Sequence, residues 1–266
     1  MTSRKLILAF ALLSLAALSI GKASAQTATV GAPTPLTGAE PAKPKKEKPP
    51  RGGPKLESVL NKTLRLNGVD GELILARKKD ALTIAKLTLS GETLSDASQR
   101  CEIQIRGESP IAVHSLGKVD GLLRFDADLP ACPFRFDLLA GAVLTPPELS
   151  ACVFQAANCQ ANPGGMWGPS SDELQKDAKA IAKERDRAEK TLAAELKALL
   201  ERYKGKPEAT ELSGEEEAFA QRREEVCRAY SGEQTIGFCA ARMTAARVAM
   251  LADRLAALKG KPDDTE

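Results

Sequence analysis

Six cysteines, Cys101, Cys132, Cys152, Cys159, Cys227 and Cys239, all lie downstream of an N-terminal segment that has the three parts of a secretory signal. Arg4 and Lys5 open that segment, residues 6–20 form an apolar run of 15 residues, and Ala23-Ser24-Ala25 is an A-x-A cleavage site. The run is shorter than the roughly 20 apolar residues that cross a bilayer, so residues 1–25 read as a signal peptide removed before Gln26. No cysteine follows the run to take a lipid, and nothing later in the chain is long and apolar enough for a transmembrane span. An even number of cysteines sent to an oxidising, periplasmic destination is expected to pair into disulfides. Zinc binding would call for C-x-x-C pairs or histidine partners, and His114 is the only histidine. The expected protein holds no metal and no cofactor.

The export segment also decides the charge argument. Its cations are Arg4, Lys5 and Lys22, so the 38 basic residues of the chain fall to 35, equal to the 35 acidic ones. A nucleic-acid footprint needs a basic excess, and the mature chain has none by composition.

Residues 26–55 read as a linker. They hold seven of the chain's 16 prolines and six cations, from Lys43 to Lys55, against Glu40 and Glu47. Such a segment cannot bury apolar surface and is expected to be an extended tether: either a plain spacer or a contact for anionic envelope polymers or lipid headgroups.

The remainder divides into a mainly-β domain over residues 56–167 and a helical domain over 170–260, an α+β chain. Candidate strands are residues 72–77, 82–90, 101–106, 122–129, 134–139 and 142–145, with a bulge or a register change expected at Ala85-Lys86 where the alternation of Leu82 and Ile84 gives way to Leu87 and Leu89. The simplest pairing of the four cysteines here is Cys101–Cys132 with Cys152–Cys159, although three connectivities are open. Residues 158–169 (NCQANPGGMWGP) hold the only tryptophan. Large aromatics are usually buried, so Trp167 is expected to plug the junction between the two regions rather than to serve an exposed recognition loop.

Ser170 with Glu173 forms a capping box, and Leu174, Ala178, Ile181, Arg185, Ala188, Leu192, Leu196, Leu199 and Tyr203 then recur at helical spacing until Gly205 and Pro207 end the helix. A second box, Ser213 with Glu216, is expected to open the next helix, whose inner face is Phe219, Arg223, Val226 and Tyr230. A third begins near Thr235. Together they predict a three-helix antiparallel arrangement with an alanine-rich interior. Cys227 falls in the last turn of the second helix and Cys239 in the first turn of the third, so a short turn around Ser231-Gly232-Glu233 brings them within disulfide range.

Around these residues, Phe219, Arg223-Glu224, Cys227, Cys239, Met243-Thr244, Arg247 and Leu251, the chain resembles the LprI-like lysozyme-inhibitor family of exported bacterial proteins. The likeness covers about residues 188–258. It departs from the family in having Phe219 where a tryptophan is usual, a shorter turn, and no further cysteine pair near the domain start. The resemblance implies a stapled helical hairpin and, as partner, a lysozyme-like muramidase. The alternative partner is another envelope protein, with the chain acting as a structural or assembly module. Arg223 and Arg247 are the candidate partner-binding residues, since a muramidase works with two carboxylates that an arginine can plug. The competing reading makes Arg223, Glu224 and Arg247 an ion-pair cluster that orients the hairpin. No catalytic residues are assigned: a Ser-His-Asp set would have to use His114, and there is no G-x-S-x-G, H-E-x-x-H or phosphate loop.

Overall fold

The strand-forming half of the chain closes its hydrogen bonds on itself. In the computed structural model, which describes residues 53–147 and 150–259, ten strands follow in order: β1 (Leu64–Leu66), β2 (Asp70–Lys78), β3 (Ala81–Thr93), β4 (Arg100–Val119), β5 (Leu122–Ala127), β6 (Phe134–Leu139), β7 (Ala142–Thr145), β8 (Cys152–Phe154), β9 (Cys159–Ala161) and β10 (Gly165–Gly168). The signal segment and nearly all of the linker lie outside the described residues. The described residues all belong to one compact unit, Pro49–Glu266. Antiparallel pairing runs β1-β10-β7-β6-β5-β4-β3, and β2 pairs with both β3 and β1, so eight strands make a closed barrel. Strands β9 and β8 continue outside the ring, because β3 outruns β2 and offers Gly91 to Thr93 to β9.

Alternation aims the core inward. Phe134, Phe136 and Leu138 of β6 are buried while Arg135 between them is exposed. In β3 the register shifts at Ala85, which leaves Ile84 and Leu87 both inside; the expected register change is there, and it keeps Leu89 on the same face. An eight-stranded barrel is just wide enough for side chains to fill it. Here Leu73, Leu75, Ile84, Phe125, Phe136 and Trp167 do so, with the Phe125 and Phe136 rings stacked at 5.3 Å. Gly71 holds φ +57° where a Cβ would run into the Thr88 carbonyl, so glycine lets β2 turn in against β3.

Trp167 is buried, but in the barrel and not at the junction. Its indole N–H donates to the Pro163 carbonyl at 3.0 Å. Neighbouring residues of a strand face opposite ways, and it is Met166 that points at the helices. The 158–169 segment is thus two strands of the sheet, β9 and β10. The cysteine pairing also differs from the simplest one: the bonds are Cys101–Cys159 and Cys132–Cys152. Cys101 and Cys159 sit on strands that both pair with β3, one on each side of it, and approach to 5.8 Å between Cα atoms.

Five helices follow: α1 (Ser171–Gln175), α2 (Ala178–Arg202), α3 (Pro207–Arg228), α4 (Glu233–Ile236) and α5 (Phe238–Lys259). The capping box at Ser170 forms as expected, and the Ser170 amide holds the Glu173 carboxyl below its ordinary range. The helix it opens lasts only five residues before restarting at Ala178. Pro207 does not terminate a helix. It occupies the first turn of α3, where its missing N–H costs nothing. Ser213 is therefore interior to α3, and its hydroxyl donates to the Ala209 carbonyl at 2.9 Å rather than capping an end. The helices α2, α3 and α5 run up, down and up. Glu184 near the start of α2 meets Arg242 near the start of α5, and Leu199 meets Leu255 at the far ends.

The helices pack on the outside of the barrel. Leu122, Leu139, Ala142 and Met166 share one buried cluster with Leu174, Val226, Tyr230, Phe238 and Met243. The β1–β2 turn at Asn67-Gly68 is held by the α3–α4 turn: the Ser231 amide donates to the Asn67 carbonyl at 2.8 Å, and the Tyr230 hydroxyl to the Pro169 carbonyl at 2.6 Å.

Candidate functional site

The disulfide Cys227–Cys239 ties the last turn of α3 to the first turn of α5, with both cysteines buried and their Cα atoms 5.4 Å apart. Between them α4 ends on Gly237 in the left-handed region (φ 71°), which allows α5 to start at once. The first amides of α5 are satisfied by Glu233, whose two carboxylate oxygens accept from the Cys239 and Ala240 N–H groups at 2.8 Å each. Burial pushes the Glu233 carboxyl up, and those two backbone bonds pull against it.

Below the staple the residues that carried the family resemblance converge on the facing sides of α3 and α5. Arg223 and Arg247 lie on the Phe219 ring, with guanidinium carbons 5.6 and 5.8 Å from its centroid. Arg223 donates to the hydroxyl of the fully buried Thr244 at 2.8 Å. Met243 and Leu251 are buried. Arg247 is 5 % exposed and forks between two carboxylates, donating through Nε to Glu216 at 2.6 Å and through one terminal nitrogen to Glu215 at 3.0 Å. Arg254 reaches Glu215 as well, at 2.7 Å. Burial raises the Glu215 carboxyl, but the bonds from Arg247 and Arg254 outweigh it and hold the group below its ordinary value.

Of the two candidate partner-binding residues, Arg247 is thus enclosed in the hairpin, and Arg223 is half-buried beside it. Glu224 stands outside the cluster, exposed and 3.5 Å from Arg228 on the same helix. The carboxylates that answer Arg247 are Glu215 and Glu216, which the sequence reading missed by spending Glu216 on a cap with Ser213. Its spacing held the signal: the stripe Tyr230, Val226, Arg223, Phe219 continues in steps of three and four to Glu216 and Leu212.

Elsewhere the barrel's free outer face presents a polar groove across β2, β3 and β4. Glu72 is answered there by Lys86 and, at 3.6 Å, by Arg65, while Gln104 bridges Glu102 and Arg106. His114 is exposed on β4, opposite Asp126, which takes Arg135 at 2.9 Å. Among the described residues no group of three or more His, Cys, Asp and Glu is placed to hold a metal ion, and no helix is long and apolar enough to cross a membrane. Compared with protein-family models, with curated proteins and with solved structures, the chain finds no match.

Proposed function

We propose that this chain is a non-catalytic, exported binding protein of the bacterial cell envelope, whose stapled hairpin engages a lysozyme-like muramidase. The observation that carries the reading is the convergence of Phe219, Arg223, Thr244 and Arg247 on the facing sides of α3 and α5, the two helices that the Cys227–Cys239 bond ties together. The pairing of all six cysteines supports an oxidising, periplasmic location. The barrel interior is filled by its own side chains, which favours contact through a surface over uptake of a small ligand.

The second reading, a structural or assembly module of the envelope without inhibitor activity, draws on the enclosure of Arg247, which directs that guanidinium to Glu215 and Glu216 and away from a partner. Muramidase activity measured against increasing amounts of the chain from Gln26 onward separates the two. The whole chain is required, since Leu139 and Met166 of the barrel complete the hairpin's core. Inhibition that is lost in Arg223→Ala with an unchanged melting temperature supports the first reading. No inhibition of several muramidases at high micromolar concentration removes it in favour of the second.

A further inference from the structure

The charges of α2 are sorted by direction. Its inward side carries Ile181 and Leu199, both buried. Arg185 and Glu189 on its flank lie 3.9 Å apart, and Glu184 is drawn across to Arg242 on α5 at 2.7 Å. What remains on the side away from the core is a row of exposed cations: Lys179, Lys183, Arg187, Lys190 and Lys197, spaced three, four and seven residues apart. None of the five forms an ion pair among the described residues, and the acids facing the same way are Asp186 and Glu201. Ala180, Ala194 and Ala198 fill the places between, so no bulky side chain stands above the charges.

We propose that this face of α2 docks electrostatically on an anionic lipid bilayer. A helix of this length is a straight ridge about 37 Å long, which can lay its whole row of charges against a plane at once. Four of the five cations are lysines, point charges on flexible stems that meet headgroup phosphates without a fixed bonding geometry. The face has no aromatic side chain on which a sugar ring or a base would stack, and no large apolar residue that would insert below the headgroups. Contact is therefore with the surface, and salt reverses it. The cation-rich stretch from Lys43 to Lys55 reinforces the same preference.

The test is sedimentation of the chain from Gln26 onward with vesicles of phosphatidylglycerol and phosphatidylcholine in a ratio of about 3:7, beside vesicles of phosphatidylcholine alone. The parent chain is expected to bind the anionic vesicles only, and to leave them in about 1 M salt, where the screening length falls to about 3 Å. Because each cation against such a surface strengthens binding by about fivefold, the joint substitution Lys183→Gln, Arg187→Gln and Lys190→Gln is expected to weaken it by at least about tenfold. These side chains are exposed, so an unchanged circular dichroism spectrum certifies the fold. Binding of the triple variant equal to the parent overturns the proposal, as does equal binding to uncharged vesicles. A second variant, with Lys43, Lys45, Lys46 and Lys48 changed to Gln, guards against the tether acting alone: if it abolishes binding while the α2 variant loses none, the α2 face is not the docking surface. Capture by soluble polyphosphate with the vesicles ignored also overturns it.

Discussion

Arg247 shows what a single side chain contributes when its partners come from the facing helix. Its side chain is 6 % exposed and Glu216's is 15 %, so the pair lies largely out of water, while Glu215 at 40 % keeps part of its hydration. Removing one partner of such a group leaves the other charge uncompensated. Arg247→Ala is therefore expected to lower stability by about 3 kcal/mol, somewhat less for the water that Glu215 regains, as read from denaturant midpoints. The same substitution carries a pH signature. The folded-state value of Glu215 lies below the ordinary 4.5, so the unfolded chain takes up that proton first as pH falls. The stabilisation is present above 4.5 and is lost as pH drops below it. The gap between parent and Arg247→Ala is accordingly expected to be widest at neutral pH and to narrow in acid. Glu233, raised by burial, works in the opposite direction in both proteins and cancels from the difference. A gap that stays constant with pH would show that the Glu215 contact contributes nothing.

Among the elements, the three disulfides close loops of unequal length. Cys227 and Cys239 are 12 residues apart, Cys132 and Cys152 are 20, and Cys101 and Cys159 are 58. Constraint of the unfolded chain ranks them in that order, so replacing Cys101 and Cys159 by Ser is expected to cost about 4 kcal/mol and replacing Cys227 and Cys239 about 3 kcal/mol. Thermal unfolding of the two double variants checks the ranking, and the reverse order would sink it. The hairpin pairing was legible in the sequence because two stretches of helical spacing and a short turn bracket the cysteines. The barrel pairing was not, because it depends on β8 and β9. These strands of three residues each are too short to show alternation. A strand with a period-two pattern was read to the residue at Phe134–Leu139, and Ala142–Thr145 was bounded by the turn residues Gly141 and Pro146. Ser213 and Glu216 matched the capping pattern, yet Pro207 had already begun the helix; a local motif carries no information about whether its first residue is free to cap.

Barrel and helices share apolar residues across their boundary, which has a consequence for the molecule's cooperativity. Leu122, Leu139, Ala142 and Met166 are buried in one cluster with Val226, Phe238 and Met243. The two regions are thus expected to unfold together, Trp167 fluorescence reporting the barrel and far-ultraviolet dichroism the helices. Coincident transitions are the expected result, and a helical transition well separated from that of Trp167 would show that the shared cluster contributes little. The ring itself imposes an order of events. β1 finds its barrel neighbour in β10, where Arg65 faces Gly168 and Leu66 faces Trp167. A chain that emerges from its N-terminus must therefore hold β1 unfinished until about a hundred further residues have appeared. Any machinery that delivers this protein handles a sheet with two open edges until its only tryptophan arrives, and that interval is when the nascent chain is most exposed to proteases and to pairing with another copy.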